Sequence, residues 1–160
     1  ALSFPVMAEM SQVWLGITQP GLLWRRGAAV VAGSASGVLL GHILASHGAR
    51  LPAPWTRPAM REAASRYLER GPRGYWMQAL TGIPVKLFAA ESGKRHLPLG
   101  RVALHTTGER AARMAASTAF IVIAEKPLGN LVRQHYGPYL AATGVTFGVL
   151  LRRVIRHWER

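Results

Sequence analysis

Residues 27–49 read GAAVVAGSASGVLLGHILASHGA, a stretch of 23 residues without a formal charge. As an α-helix this stretch would be about 34 Å long, and the hydrocarbon core of a bilayer is about 30 Å thick. Arg25 and Arg26 precede it and Arg50 follows it. The pattern is typical of a transmembrane helix, and it decides the fold class that we predict for the chain.

Glycines recur at every fourth residue of this stretch, at Gly33, Gly37 and Gly41. Four-residue spacing places the three on one face of a helix, where the missing side chains let a second helix approach closely in lipid. Each glycine costs about 1 kcal/mol in a helix interior, so their presence indicates a packing role. The alternative is a tightly packed core helix of a soluble protein.

A second apolar stretch, residues 136–151, reads YGPYLAATGVTFGVLL and repeats the same spacing at Gly144 and Gly148. We predict a second transmembrane helix there. Residues 109–132 are predicted to be helical, but their uncharged part, residues 114–124, is short for a span. It could cross only if Arg113 snorkels to the interface or if the helix packs inside a larger assembly. The chain is therefore predicted to be an all-α membrane protein with about two, and at most three, transmembrane helices.

The other segments are predicted to lie at or outside the membrane surface, within one membrane-embedded unit. Residues 1–26 are expected to be interfacial and residues 152–160 to be a basic tail. The connector over residues 50–108 is expected to start with an extended proline-rich stretch, followed by an amphipathic helix over 58–70. An interfacial or re-entrant segment over 74–90 comes next. A polar loop over 91–108 is expected to end the connector, and its Thr106 or Thr107 is expected to cap the next helix.

The first residue is Ala1 rather than Met. Two interpretations remain open: a presequence has been removed, or the sequence starts late.

The chain is strongly basic, with 20 Lys and Arg against 7 Asp and Glu and a formal charge of +13. Yet 49% of its residues are hydrophobic and 17% are charged, which excludes a disordered basic tail. The absence of Cys excludes disulfides and thiolate zinc sites. Soluble nucleic-acid binders are usually richer in charge, so we expect membrane partners and no nucleic acid.

Arginines flank both predicted spans, and Arg is a planar donor suited to phosphate. With Trp24 or Trp158 nearby, they predict contacts to the head groups of anionic lipids such as cardiolipin. The alternative is that these charges only set the orientation of the helices in the membrane. The predicted lipid-binding residues are Arg25, Arg26, Arg152, Arg153 and Arg156.

Catalytic and metal-ligating patterns are not found in the sequence. His42 and His47 are five residues apart, which places them about 140° apart around a helix, so they cannot share one metal ion. His42 could hold a haem or pigment together with a ligand from another chain, but the favoured interpretation is a polar group that is bonded to a neighbouring helix or lies near the membrane interface. We therefore expect no cofactor of the chain's own, no metal and no enzymatic activity.

Residues 135–150, HYGPYLAATGVTFGVL, resemble the membrane segment of the mitochondrial ATP synthase peripheral-stalk subunit b. That family has a Gly-Pro-Tyr turn that enters a helix with a Thr-Gly pair. The family also continues into a long charged stalk helix, which residues 1–160 do not contain, so the resemblance implies a reduced or lineage-specific subunit. The same stretch also resembles a family of small mitochondrial membrane proteins with Tyr-Gly before an apolar helix. The residues that match subunit b are Gly137, Pro138, Tyr139, Thr143 and Gly144.

Taken together, these features predict a non-catalytic accessory subunit of a multi-subunit energy-converting complex in the mitochondrial inner membrane. A proton-transporting ATP synthase comes first and a respiratory-chain complex second. The expected partners are other membrane subunits and anionic lipids. Two alternatives stay open: a basic protein of the mitochondrial ribosome, whose charge would neutralise RNA phosphates, and a photosystem or antenna subunit that uses His42.

Overall fold

The computed structural model of the protein describes residues 12–14, 16, 18–49 and 57–158. All regular structure in this part of the chain is helical, as predicted. Two short 3₁₀ turns, Pro20–Leu22 and Pro72–Met77, accompany the α-helices. The α-helices are α1 (Leu23–Ser46), α2 (Pro58–Leu68), α3 (Gln78–Thr81), α4 (Val85–Lys94), α5 (Leu99–Gln134) and α6 (Tyr136–His157).

Three of the predicted segments lie partly outside the described residues. They are the interfacial N-terminal segment, of which residues 1–11 are not described, the proline-rich start of the connector at residues 50–56, and the end of the basic tail at residues 159–160.

The predicted membrane stretch is helical, and α1 begins four residues before it and ends three residues before its last residue. Together with the preceding turn it forms the segment Pro20–Ser46. Among the described residues, this is the segment that is long and apolar enough to cross a membrane. The second predicted span is also helical, within α6. Whether it crosses a membrane, and whether α5 does, stay predictions.

The polar loop predicted over residues 91–108 is wrong. Residues up to Lys94 complete α4, and α5 begins at Leu99, ten residues before the predicted start, with Pro98 at its N-cap rather than Thr106 or Thr107. The inward face of this first part of α5 contains Val102, Thr106, Glu109 and Arg110, all of them buried. Their spacing is helical, but three of the four are polar, so the apolar periodicity that predicts a helix is missing.

The connector between α1 and α5 builds the main core. The amphipathic helix is confirmed as α2, whose buried face includes Met60, Ala64 and Leu68. Phe88 of α4 is fully enclosed, and its ring centroid lies 5.6 Å from that of Tyr75 and 6.5 Å from that of Tyr67. Residues 74–90, predicted to be interfacial, thus supply much of this core. Its buried members are Val38, Met60, Ala63, Ala64, Leu68, Tyr75, Ile83, Leu87, Phe88, Ala89 and Val102.

Helices α1 and α4 are in backbone contact. A Cβ atom built on Gly93 of α4 would lie 2.3 Å from the carbonyl oxygen of His42 and 2.8 Å from Cβ of Ala45. Both distances are far below van der Waals contact, so this position accepts glycine alone without movement of α1. Helix α5 runs antiparallel to α1, because Leu23 packs with Ile121 whereas Gly27, later in α1, lies beside Met114, earlier in α5.

Helix α6 is attached to the rest of the chain near its two ends. Near its start, the Tyr139 hydroxyl donates to the Val13 carbonyl at 2.7 Å, and the indole of Trp14 donates to Thr143 at 2.9 Å. Just beyond its end, the indole of Trp158 donates to the Thr81 carbonyl at 3.3 Å. No residue of α6 is buried. The described chain therefore leaves the middle of α6 uncovered.

The contact at Gly93 gives a direct test of the fold. Gly93→Ala is expected to destabilise the protein by roughly 2 kcal/mol or more, because the added methyl group meets backbone atoms of α1. Gly33→Ala is the matched control, since a Cβ there meets no atom within 4 Å. It should leave stability unchanged or raise it by up to about 1 kcal/mol through helix propensity. Denaturant unfolding of both variants, followed by circular dichroism in mild detergent, measures the difference. Equal changes in the free energy of unfolding for the two variants would contradict the contact between α1 and Gly93.

Candidate functional site: a buried polar cluster between the helices

Three polar side chains meet in the main core, one from α1, one from the 3₁₀ turn and one from α4. Nδ1 of His42 lies 2.9 Å from Oγ of Ser92, and the Tyr75 hydroxyl lies 2.9 Å from the same oxygen. Ser92 donates its proton to the Ala89 carbonyl at 3.0 Å. Because a hydroxyl has one proton and two lone pairs, Ser92 then accepts from both His42 and Tyr75. The cluster ties three segments together at one atom.

The Tyr75 phenol is 1% exposed. Burial raises its pKa to about 12, while the hydroxyls of Ser92 and Thr106 act in the opposite direction. Thr106 of α5 is also fully buried beside it, although its own hydroxyl does not reach hydrogen-bonding geometry with any described group. Tyr75 is therefore a neutral hydrogen-bond donor at physiological pH.

The chemistry open to this cluster is limited. His42 and Ser92 are within hydrogen-bonding distance, but no carboxylate of the described residues contacts the imidazole to orient it as a general base. Both side chains are closed off from solvent, with His42 5% exposed and Ser92 fully buried. The described residues also contain no group of His, Asp or Glu side chains that could hold a metal ion. The arrangement satisfies polar groups inside the core and positions the helices.

A second polar cluster lies on α5, around the buried carboxylate of Glu109. Its Oε2 is 3.4 Å from Nε of Arg110, and its Oε1 is 3.3 Å from Nη1 of Arg113. Arg113 also donates to Gln78 at 2.8 Å, and Gln78 donates to the Ile83 carbonyl at 3.2 Å. The side chains of Glu109 and Arg110 are 3% and 8% exposed. The sequence analysis did not predict this ion-pair cluster.

Removing the carboxylate of Glu109 should be costly, because it takes away a buried anion that two guanidinium groups contact in the interior. We expect Glu109→Gln to lower the free energy of unfolding by roughly 3 kcal/mol. Glu62→Gln, at an exposed position of α2, is the control and should change stability by less than about 0.5 kcal/mol. Thermal and denaturant unfolding report both values. A small effect at Glu109 would mean that water or other groups compensate Arg110.

The glycines predicted to form a packing face are mostly uncovered. A Cβ built on Gly33 or Gly37 meets nothing within 4 Å, and the same is true of Gly144 and Gly148 on α6. Gly41, by contrast, is buried. Within the described chain, the close helix contact is made by Gly93 instead, which belongs to no glycine repeat. The open glycines stay candidates for contacts outside the chain.

The predicted lipid-binding arginines form two separate groups. Arg25 is exposed, and Arg26 donates to the side chain of Gln19. Leu23, next to them, packs in a small cluster with Ile121 and Val132, against which Tyr139 at the start of α6 also packs. Arg152, Arg153 and Arg156 are exposed about four turns further along α6, which is roughly 20 Å away at 1.5 Å per residue. The structure therefore does not bring the two groups together.

A third group of arginines lines an open pocket beside α2. The sequence analysis did not predict a site there. The pocket has a volume of about 590 Å³, and its walls include Arg66, Arg70 and Arg73. The three lie seven residues apart at most, on either side of the Gly71-Pro72 pair that ends α2. Their clustering follows from the turn, which the sequence does show, but the concave surface between them depends on tertiary packing.

The pKa of Tyr75 predicts a specific dependence of stability on alkaline pH. A phenol whose pKa rises from about 10 when unfolded to about 12 when folded stabilises the protein fully below pH 10, and this stabilisation is lost as pH rises from 10 to 12. Tyr75→Phe lacks it. The difference in unfolding free energy between wild type and Tyr75→Phe should therefore fall by at most about 3 kcal/mol over this range. Denaturant titrations at pH 9, 10, 11 and 12 measure it, and a constant difference would contradict the buried phenol.

The chain was also compared with known proteins. It matches no protein-family model, no curated protein and no solved structure.

Proposed function

We propose that the chain is a non-catalytic accessory subunit of a multi-subunit energy-converting complex, anchored in the membrane by the segment Pro20–Ser46. The observation that carries the proposal is the surface of this segment. It is long and apolar enough to span a bilayer, yet only 22% of its apolar 18-residue stretch is buried within the chain. An apolar helix with most of its surface uncovered needs lipid or other subunits around it.

Exposed apolar side chains on the later helices support the same proposal. Phe120 and Ile123 of α5 are 67% and 71% exposed, and Val145 and Val149 of α6 are 68% and 62% exposed. A soluble monomer rarely leaves this much large apolar surface open to water. Membrane lipid or neighbouring subunits would bury it.

The charges close to α1 are compatible with this placement because they are paired. On α5, Glu109 contacts two arginines and is almost fully buried. Beside the C-terminal part of α1, the carboxylate of Glu91 on α4 lies 2.9 Å from Nζ of Lys94 and 3.9 Å from Nε of Arg61. We infer that α4 covers one side of the C-terminal part of α1 at a polar boundary, and that lipid or partner subunits cover the faces of α1 that the described chain leaves exposed, such as the one with Leu40.

The choice of complex follows from the resemblance of residues 135–150 to ATP synthase subunit b, and mitochondrial ATP synthase is therefore our first candidate. A respiratory-chain complex comes second. Two of the matching residues, Tyr139 and Thr143, hold α6 against residues 13 and 14, whereas Gly144 faces away from the described chain. The mitochondrial inner membrane and its cardiolipin are part of the same proposal.

Membrane anchoring is tested by alkaline carbonate extraction of membranes from cells that produce the full chain. The wild-type chain should stay in the membrane pellet. Ala32→Arg, at an exposed position near the middle of the segment, should shift a large part of it to the supernatant, because an arginine at the centre of a span costs about 3 kcal/mol.

The control is Ala59→Arg, which makes the same exchange at an exposed alanine of α2 and should leave the chain in the pellet. Complete release of the wild-type chain would disprove the anchor. Purification of the native assembly in mild detergent, with identification of its neighbouring subunits, then tests the complex. Recovery with ribosomal proteins, or with pigments that absorb visible light, would favour one of the two alternatives.

A further inference from the structure

The pocket beside α2 has a cationic wall and a partly apolar floor. Its volume is about 590 Å³, and it is open to solvent on one side. Tyr67 and Met77, both half-buried, form part of the floor. Gly74 lies at its base, where a Cβ would be 2.3 Å from the carbonyl oxygen of Tyr67, so the turn after α2 is pressed against the last turn of that helix. The pocket is thus built on a fixed backbone. The residues that line it are Arg66, Tyr67, Glu69, Arg70, Arg73, Gly74 and Met77.

The three arginines of this pocket have no counter-charge within the described part of the chain. None of them lies within ion-pair distance of a described carboxylate, and this includes Glu62, which is four residues before Arg66 on α2. The pocket has one carboxylate, Glu69, whose Oε1 lies 3.7 Å from Nη2 of Arg95. The lining therefore carries a formal charge of +2, and an outside arginine already contacts its single anion.

Helix electrostatics explain only part of this arrangement. Arginines near the C-terminus of α2 interact favourably with the helix dipole, which accounts for Arg66 and in part for Arg70. Arg73 lies beyond the helix, in the following 3₁₀ turn, and still lines the same pocket. Three like charges repel one another, so bringing them to one concavity with a single carboxylate, which Arg95 also contacts, is unfavourable. An anionic ligand would remove this cost.

We infer that this pocket binds a phosphate group. The planar guanidinium group donates two parallel hydrogen bonds to phosphate oxygens, and three such groups can contact several oxygens of one phosphate or diphosphate group. Two sources fit: a free phosphate or diphosphate, and the head group of an anionic phospholipid, whose glycerol would contact Tyr67 and Met77. The site is separate from the arginines that flank α1 and α6, and it does not require the chain to span a membrane.

The test measures binding of two phosphate probes to the full chain in a non-ionic detergent, by isothermal titration calorimetry at low salt. The probes are inorganic pyrophosphate and dihexanoyl-phosphatidylglycerol. We expect saturable binding of at least one, weakened by added salt because the contacts are ionic. Arg70→Gln should weaken it about tenfold. Arg70→Lys, which keeps the charge and loses the two-pronged geometry, should give an intermediate value.

Arg101→Gln is the matched control, because it removes one exposed arginine from α5, away from the pocket, and should change the affinity less than twofold. Circular dichroism confirms that each variant folds. Tighter binding of the lipid probe assigns the site to a head group, and tighter binding of pyrophosphate assigns it to a soluble phosphate. The inference would be overturned if neither probe showed saturable binding, or if Arg70→Gln and Arg101→Gln lost the same affinity. It would also be overturned if the chain bound single-stranded RNA and neither of the two probes. None of these outcomes depends on the carbonate extraction.

Discussion

The structure depends on the contact between the backbones of α1 and α4 at Gly93. No side chain separates the two helices there, so Ser92, the residue before Gly93, is brought directly against His42. The same oxygen of Ser92 then accepts from Tyr75. A larger residue at position 93 would move α4 outward and leave three buried polar groups without their partners, each of which costs about 1 to 3 kcal/mol. Steric fit and hydrogen bonding thus fix the same helix pair.

This contact also determines which surface of α1 remains for other partners. His42 is the polar side chain that α1 turns inward, and it is satisfied inside the chain. Beyond Arg25 and Arg26 at its start, the exposed surface of α1 then consists of small or apolar residues, among them Gly33, Gly37 and Leu40. Because glycines stay open on α1 and on α6, a second helix could approach either one closely. In our proposal, these two surfaces are where lipid or neighbouring subunits are bound.

Sequence patterns predicted the helices whose buried faces consist mainly of apolar residues. Helix α1 has a long uncharged stretch, and α2 has an apolar face that begins at Met60, so both were expected within a few residues of their observed ends. The start of α5 was missed because Thr106 and Glu109 occupy its buried face, and polar residues there mimic a loop. Gly93 was missed because it is a single glycine outside any repeat. Its role arises from the position of α1 in space, which sequence spacing along α4 cannot show.

The surplus of positive charge is the last property that the fold must accommodate. The chain has 17 Arg and 3 Lys but 7 Glu and no Asp, so even complete pairing would leave 13 cations. Inside the protein, where an unpaired charge is most costly, the carboxylate of Glu109 contacts both Arg110 and Arg113 and offsets one of their two charges. The surplus then lies at the surface, in the pocket beside α2 and at the ends of α1 and α6. In our proposals, phosphate groups outside the chain neutralise part of this surplus.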